Sequence, residues 1–145
     1  MVNEWLVELN DEESTVPAIG IAGFIENAES LSKGRLWVGK DGGARPLWHR
    51  LLGAQKRYVD SIFSLEWFSE GAALIFHDEN WSEYRALKPD NSPSLPESIR
   101  IQISHGEAQP ASDSECISKE QAFKAIREAL EKGDRPNWLN YQFVK

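Results

Sequence analysis

The chain reads as a single α+β domain spanning residues 1–145: a mainly antiparallel sheet, a C-terminal helix packed on it, and a final strand. Three observations predict this. Between residues 61 and 103, apolar runs of strand length follow one another across short polar loops, as hairpins do. Residues 117–143, ISKEQAFKAIREALEKGDRPNWLNYQF, hold a helix marked at both ends and then an aromatic strand. A length of 145 residues suffices for one compact core and falls short of two ordinary domains.

EWLVEL, residues 4–9, places Trp5, Val7 and Leu9 on one side of a short first strand. After the acids Asp11, Glu12 and Glu13, the stretch STVPAIGIAGFIENAESLSKG is expected to be helical. Ser14 or Thr15 would cap it, Pro17 fits a first turn, and Gly34 would stop it. Gly20 and Gly23 work against it, at about 1 kcal/mol each in a helix interior. RLWVG is a short strand and KDGGARP a turn-rich loop. PLWHRLLGAQKRY, residues 46–58, sets Leu47, Trp48, Leu51, Leu52 and Tyr58 roughly on one helical face, with a loop partly covering the sheet as the competing reading.

The middle of the chain is β. Phe63, Leu65 and Trp67 alternate with Ile62, Ser64 and Glu66, and AALIFH is apolar on both faces, as a covered central strand is. WSEYRALK alternates again across the polar loop Asp78, Glu79, Asn80, which signals a hairpin. NSPSLPES is an irregular connection. SIRIQIS alternates cleanly, with Ile99, Ile101 and Ile103 inward, and HGEAQPASDSE is a polar loop. In the C-terminal unit Ser118 can cap a helix, with Gln121 completing a capping box. Ala122, Phe123, Ile126, Ala129 and Leu130 form its apolar stripe. Gly133 suits a left-handed helix end and Pro136 forbids continuation. Trp138 to Val144 then forms the last strand, with Leu139, Tyr141 and Phe143 as its buried set.

Charge and cysteine usage narrow the function classes. A net charge of −7 repels phosphate backbones, so direct nucleic-acid binding is not expected, whereas a basic protein partner is suited. A solubility role for the same charge is the plainer alternative. Cys116 is the single cysteine, so no internal disulfide can form. The opening MVNEWLVELNDEEST carries acids where a secretion signal carries bases, and no run is long enough to cross a bilayer. A cytoplasmic protein without membrane association is expected. Six tryptophans, at positions 5, 37, 48, 67, 81 and 138, either fill the core or leave one or two as anchors on a binding surface.

Motifs for catalysis are sparse. His49, His77 and His105 sit in separate segments without a ligand partner at metal spacing, so no metal or cofactor is expected. GKDGG is not a phosphate-cradling loop, no nucleophile elbow occurs, and Cys116 has no adjacent histidine. Glu66, mid-strand beside Trp67, is the carboxylate of most interest. It is either partly buried with a raised pKa or faces solvent on the outer side of the sheet. No residue is assigned a catalytic role.

The pattern SKEQAFKAIREALEKGDRPNWLNYQF resembles the end of immunity protein family one of bacterial polymorphic toxin systems. The shared features fall on Ala122, Ala125, Ala129, Gly133, Asp134, Arg135, Pro136 and Trp138: an alanine-rich helix, a glycine, an Arg-Pro turn and a strand bearing a Trp. AALIFHDENWSEYRAL, with its acidic hairpin tip, is similar to the family's middle. The resemblance implies a non-catalytic cytoplasmic inhibitor that binds the toxin domain of a contact-dependent growth inhibition or related system, often a nucleic-acid deaminase or nuclease. Gly133, Arg135, Pro136 and Trp138 would be structural.

A cognate toxin domain is therefore the expected partner. The expected contact is the projecting hairpin tip, Asp78 and Glu79, with Trp81 and Glu83 on the strand leaving it. Two other readings stay open: a small enzyme using Glu66 and a histidine as an acid–base pair, and a protein-binding adaptor that uses exposed tryptophans.

Overall fold

The computed structural model describes residues 4–44, 57–78, 80, 82–90 and 92–144. Its strands are β1 (Glu4–Leu9), β2 (Glu12–Pro17), β3 (Lys33–Ala44), β4 (Arg57–Phe68), β5 (Gly71–His77), β6 (Glu83–Leu87), β7 (Ile117–Ser118) and β8 (Asn140–Val144). Its helices are α1 (Ile21–Glu29), the single turn α2 (Glu97–Arg100) and α3 (Lys119–Lys132). The strands form one sheet in the order β2-β1-β3-β4-β5-β6-β8, with β7 added to β5 and antiparallel pairing throughout. The expected α+β class holds, with α3 and a last strand closing the chain. Most of the 46–58 segment, through residue 56, lies outside the described residues; Arg57 and Tyr58 open β4.

Strand alternation builds the main core on one face. Val7 pairs with Val38, Val38 with Phe63 and Phe63 with Phe76, while Leu36 pairs with Leu65 and Leu65 with Leu74, so two rows of apolar side chains run across β3, β4 and β5, the first reaching β1. Helices α1 and α3 close over it. Ile25 and Ala28 come from α1, and Ala122, Phe123, Ala125, Ile126 and Ala129 from α3. The alanines let α3 lie close enough for Phe123 to meet Trp67 edge-on, with ring centroids 5.1 Å apart. Gly34 serves the same packing, since a Cβ there would stand 2.4 Å from the Trp67 ring.

The opposite face is covered at β4 and β5 by residues 95–116. Ala73, Ile103 and Cys116 form a smaller cluster, with Phe68, Leu95 and Ala111 against it. That second layer is why AALIFH is buried on both sides.

Four expectations change. Lys40 to Ala44, expected to belong to the turn-rich loop KDGGARP, continue β3 against β4. The stretch expected to be helical from Ser14 begins as β2, because Asn10 and Asp11 both take positive φ (50° and 71°) and turn β1 straight back into a strand. Asn10 also bonds to both backbone groups of Arg35, and the helix proper starts at Ile21. SIRIQIS is not a strand. Pro96 starts the turn α2 and a 3-10 segment follows, because Ile99 and Ile103, four apart, share a helical face as readily as a strand face. Ile103 is fully buried while Ile101 is exposed. Phe143 is also exposed, at 58%, since β8 is the edge of the sheet and its ring rests on Tyr84.

The helix of the C-terminal unit folds as its residues predict, and the last strand begins at Asn140, two residues after the expected Trp138. The Ser118–Gln121 capping box is present, and Gly133 ends the helix in the left-handed region at φ 81°. Arg135 then lies 3.7 Å from the centre of the Tyr84 ring and 5.4 Å from that of Tyr141. The carbonyl of buried Pro136 accepts the Tyr141 hydroxyl at 2.6 Å. Burial pushes the Tyr141 phenol up to about 12.

Candidate functional site

Glu66 is 4% exposed, on the face away from α1 and α3. The solvent-facing alternative is thereby corrected: residues 101–105 fold down over the β4 position that alternation alone leaves outward. Its carboxylate is divided between two partners. Oε2 accepts Arg35 Nε at 2.6 Å, and Oε1 accepts the backbone N–H of His105 at 3.1 Å. His105 has a positive φ of 55°, and its Nε2 donates to the Ala73 carbonyl at 3.2 Å. That bond fixes the tautomer with the proton on Nε2. Burial holds the His105 imidazole below its ordinary pKa, with the Glu66 charge opposing the shift.

Beside His105 lies a cavity of about 240 Å³ between β5 and the covering segment. Arg85, Glu107 and Glu115 supply its charged wall. Arg85 is already committed, to Glu83 at 3.1 Å and to Glu115 at 3.5 Å. The fold therefore brings Glu66 and one histidine together, as the acid–base reading requires. It spends the carboxylate and the Nε2 proton on holding the segment in place.

The hairpin tip is organised by its own acid. Asp78 Oδ1 accepts the backbone N–H groups of Asn80 at 2.9 Å and Ser82 at 3.0 Å, while Oδ2 faces the Tyr84 hydroxyl at 3.3 Å. Burial alone would raise its pKa, but those donors and Arg135 outweigh it and hold the carboxyl low. Glu83 pairs with Arg85. Glu79 and Trp81 lie outside the described residues, as do Trp48 and His49. The structure thus places Asp78 and Glu83 in one hairpin, each with a partner within the chain.

The remaining tryptophans divide cleanly. Trp5 and Trp67 are core. Trp138 lies on the surface of α3, donating to Glu128 at 2.7 Å beneath Lys124. Trp37 is half-buried on the sheet face opposite α1 and α3. Its indole N–H donates to buried Ser61 at 2.7 Å. A Cβ on Gly39 would lie 2.5 Å from its ring, so the ring lies down along its own strand over that glycine.

Trp37 borders an open groove of about 620 Å³ across β1, β2 and β3, with Leu6, Glu8, Glu13 and Thr15. Sequence reasoning did not single this residue out. The signal was present in the spacing W-x-G, aromatic and glycine two apart on one strand face.

Cys116 is buried, and burial pushes its thiol up to about 11, far from a reactive thiolate. Among the described residues, no group of three or more His, Cys, Asp or Glu side chains is placed to hold a metal ion, and no helix is long and apolar enough to cross a membrane. Comparison with known protein families, curated proteins and solved structures finds no match to this chain.

Proposed function

We propose that this chain is a non-catalytic immunity protein that binds and neutralises a cognate toxin domain acting on nucleic acid, a deaminase or nuclease of a contact-dependent growth inhibition or related polymorphic toxin system. The observation that carries the reading is the β1–β2 hairpin. Its acids Asp11, Glu12 and Glu13 are all exposed, at the outer edge of the sheet, on a turn pinned to Arg35 by both the backbone and the side chain of Asn10. A rigid, projecting acidic element on a chain of net charge −7 offers a polyanion-like surface to a protein built to grip phosphate. The C-terminal unit is in keeping with the same reading, since Gly133 ends α3, Arg135 stacks on Tyr84 of β6 and the Pro136 carbonyl accepts the Tyr141 hydroxyl of β8.

The acid–base enzyme remains the second reading, favoured by the approach of Glu66 to His105. Weighing against it, a general base must reach substrate, and Glu66 is buried with each of its oxygens accepting a bond from the chain itself.

The test is co-expression with the toxin domain encoded beside this chain. Restored growth, together with co-purification of the two proteins, is the expected result. A folded chain that neither protects nor co-purifies overturns the proposal, and substrate turnover lost on Glu66→Gln transfers the case to the enzyme.

A further inference from the structure

We infer that the groove over β1 seats an arginine side chain of a basic protein segment, stacked on Trp37 and paired with Glu8 and Glu13. The inference deepens the inhibitor reading and rests on its premise that the chain binds a basic protein.

Register places the three residues in one row. Glu13 stands directly opposite Glu8, and Glu8 directly opposite Trp37, so all three side chains leave the same face of the sheet. Neighbouring strands lie about 4.8 Å apart, so β2 and β3 bound a trough about 10 Å wide with β1 as its floor. Leu6 supplies an apolar floor beside Glu8. This is the width of one planar side chain between a carboxylate wall and an indole wall.

Two features of the row are costly or idle for the free protein. Like charges directly opposite one another on paired strands repel, and among the described residues the ion pairs formed include neither Glu8 nor Glu13. Arg35, whose charge Glu8 also feels, is bonded to Glu66. Trp37 is held in one pose by Ser61 and Gly39 while still bordering the open groove, so little side-chain freedom remains to be lost when a partner binds.

A cation relieves the repulsion and an aromatic face attracts it. A guanidinium does both at once, because it stacks flat on a ring while donating in its own plane to carboxylates. The chain already shows the stacking half of this geometry where Arg135 covers Tyr84.

The test uses the full chain and a blocked Gly-Arg-Gly-Arg-Gly peptide, with Gly-Gln-Gly-Gln-Gly and spermidine as controls, followed through the six tryptophan indole N–H signals by NMR. Trp37→Phe assigns the signal. The expected result is saturable movement of the Trp37 signal with the arginine peptide, weakened about threefold or more by Glu8→Gln with Glu13→Gln at low salt. The same double variant should raise the urea midpoint of the free protein, because it removes the repulsion. A purely structural row would not combine those two effects.

The inference fails if Trp37 does not respond, or if spermidine moves it as strongly as the arginine peptide. It also fails if the signal moves with protein concentration alone, which would make the groove a contact between two copies. A chain that neutralises its toxin without a Trp37 response loses this inference and keeps the inhibitor reading. A Trp37 response in a chain that gives no protection does the reverse.

Discussion

Glu66 Oε1 accepts the backbone N–H of His105 at 3.1 Å, and this bond ties the covering segment to the sheet at a residue whose own φ is positive. Left-handed backbone costs a non-glycine residue about 1 kcal/mol or more, so the fold spends a buried carboxylate on holding it. Arg35 completes the arrangement from the solvent side, where its own side chain is 58% exposed. Glu66 is in this sense a strut between two layers.

Glu66→Gln is therefore expected to destabilise the protein by about 1–3 kcal/mol, because the amide cannot satisfy both Arg35 and the His105 N–H. Urea unfolding measures it. An unchanged midpoint would show that the segment is held by Ile103 and Cys116 packing alone.

The two described histidines predict a pH dependence. Burial holds both His105 and His77 below the ordinary 6.5, opposed by Glu66 at the first and by Glu83 and Asp78 at the second. In the window beneath 6.5 the unfolded chain binds protons that the folded chain refuses. The stability these groups contribute is present above that value and is lost as pH falls through the window. Urea midpoints at about pH 7.5 and about pH 5.5 should differ in that direction, and His105→Asn, which tolerates positive φ, should reduce the difference. An equal fall in the variant would assign the whole effect elsewhere.

Two glycines separate backbone strain from crowding. At Gly133 an added Cβ meets nothing within 4 Å, so Gly133→Val should cost only its left-handed backbone, about 1–2 kcal/mol. At Gly34 the Cβ would strike the ring of Trp67, which is fully buried and bonded to the Leu31 carbonyl. Gly34→Ala should destabilise by about 1–3 kcal/mol through overpacking and should disturb tryptophan fluorescence. Gly133→Val should leave that fluorescence as it is. A Gly133→Val protein with the wild-type urea midpoint would contradict the strain.

What could be read from the sequence follows the length of the pattern. The α3 unit was legible because five independent signals agreed: a cap, its box partner, a stripe, Gly133 and Pro136. The strands β4, β5 and β6 were legible from alternation and from the polar loop between the last two. β2 was not, because EESTVP shows no alternation and brings only Val16 to the core; it is a strand because Asn10 and Asp11 turn it onto β1. SIRIQIS misled because seven residues cannot separate a period of two from a period near four. The burial of Glu66 depended on that same segment, which meets β4 across almost forty residues of chain. The Trp37 row is a matter of register, and register between β1 and β3 passes through β2 and α1 before it exists.

The hairpin tip gives the last prediction. Asp78 carries a charge at a projecting tip, and it also builds the turn by accepting the Asn80 and Ser82 N–H groups on one oxygen. Charge reversal there would confound two effects. Asp78→Asn keeps one acceptor oxygen for the Asn80 and Ser82 N–H groups while losing the charge and the oxygen that faces Tyr84, so its urea midpoint should fall less than that of Asp78→Lys. Asp78→Lys removes the acceptor as well and should lower the midpoint. If the tip docks on the cognate toxin, Asp78→Asn slows association at low salt and has less effect at high salt, since a charge at this site acts through a screened field. Glu79→Gln extends the charge test. Trp81→Ala tests the anchor instead, expected to raise the dissociation rate about tenfold if that ring contributes ~1.4 kcal/mol. Surface-immobilised kinetics against the proposed toxin partner measures both rates. Wild-type rates for all three folded variants would remove the tip from the interface and leave the β1–β2 hairpin as the surface to map.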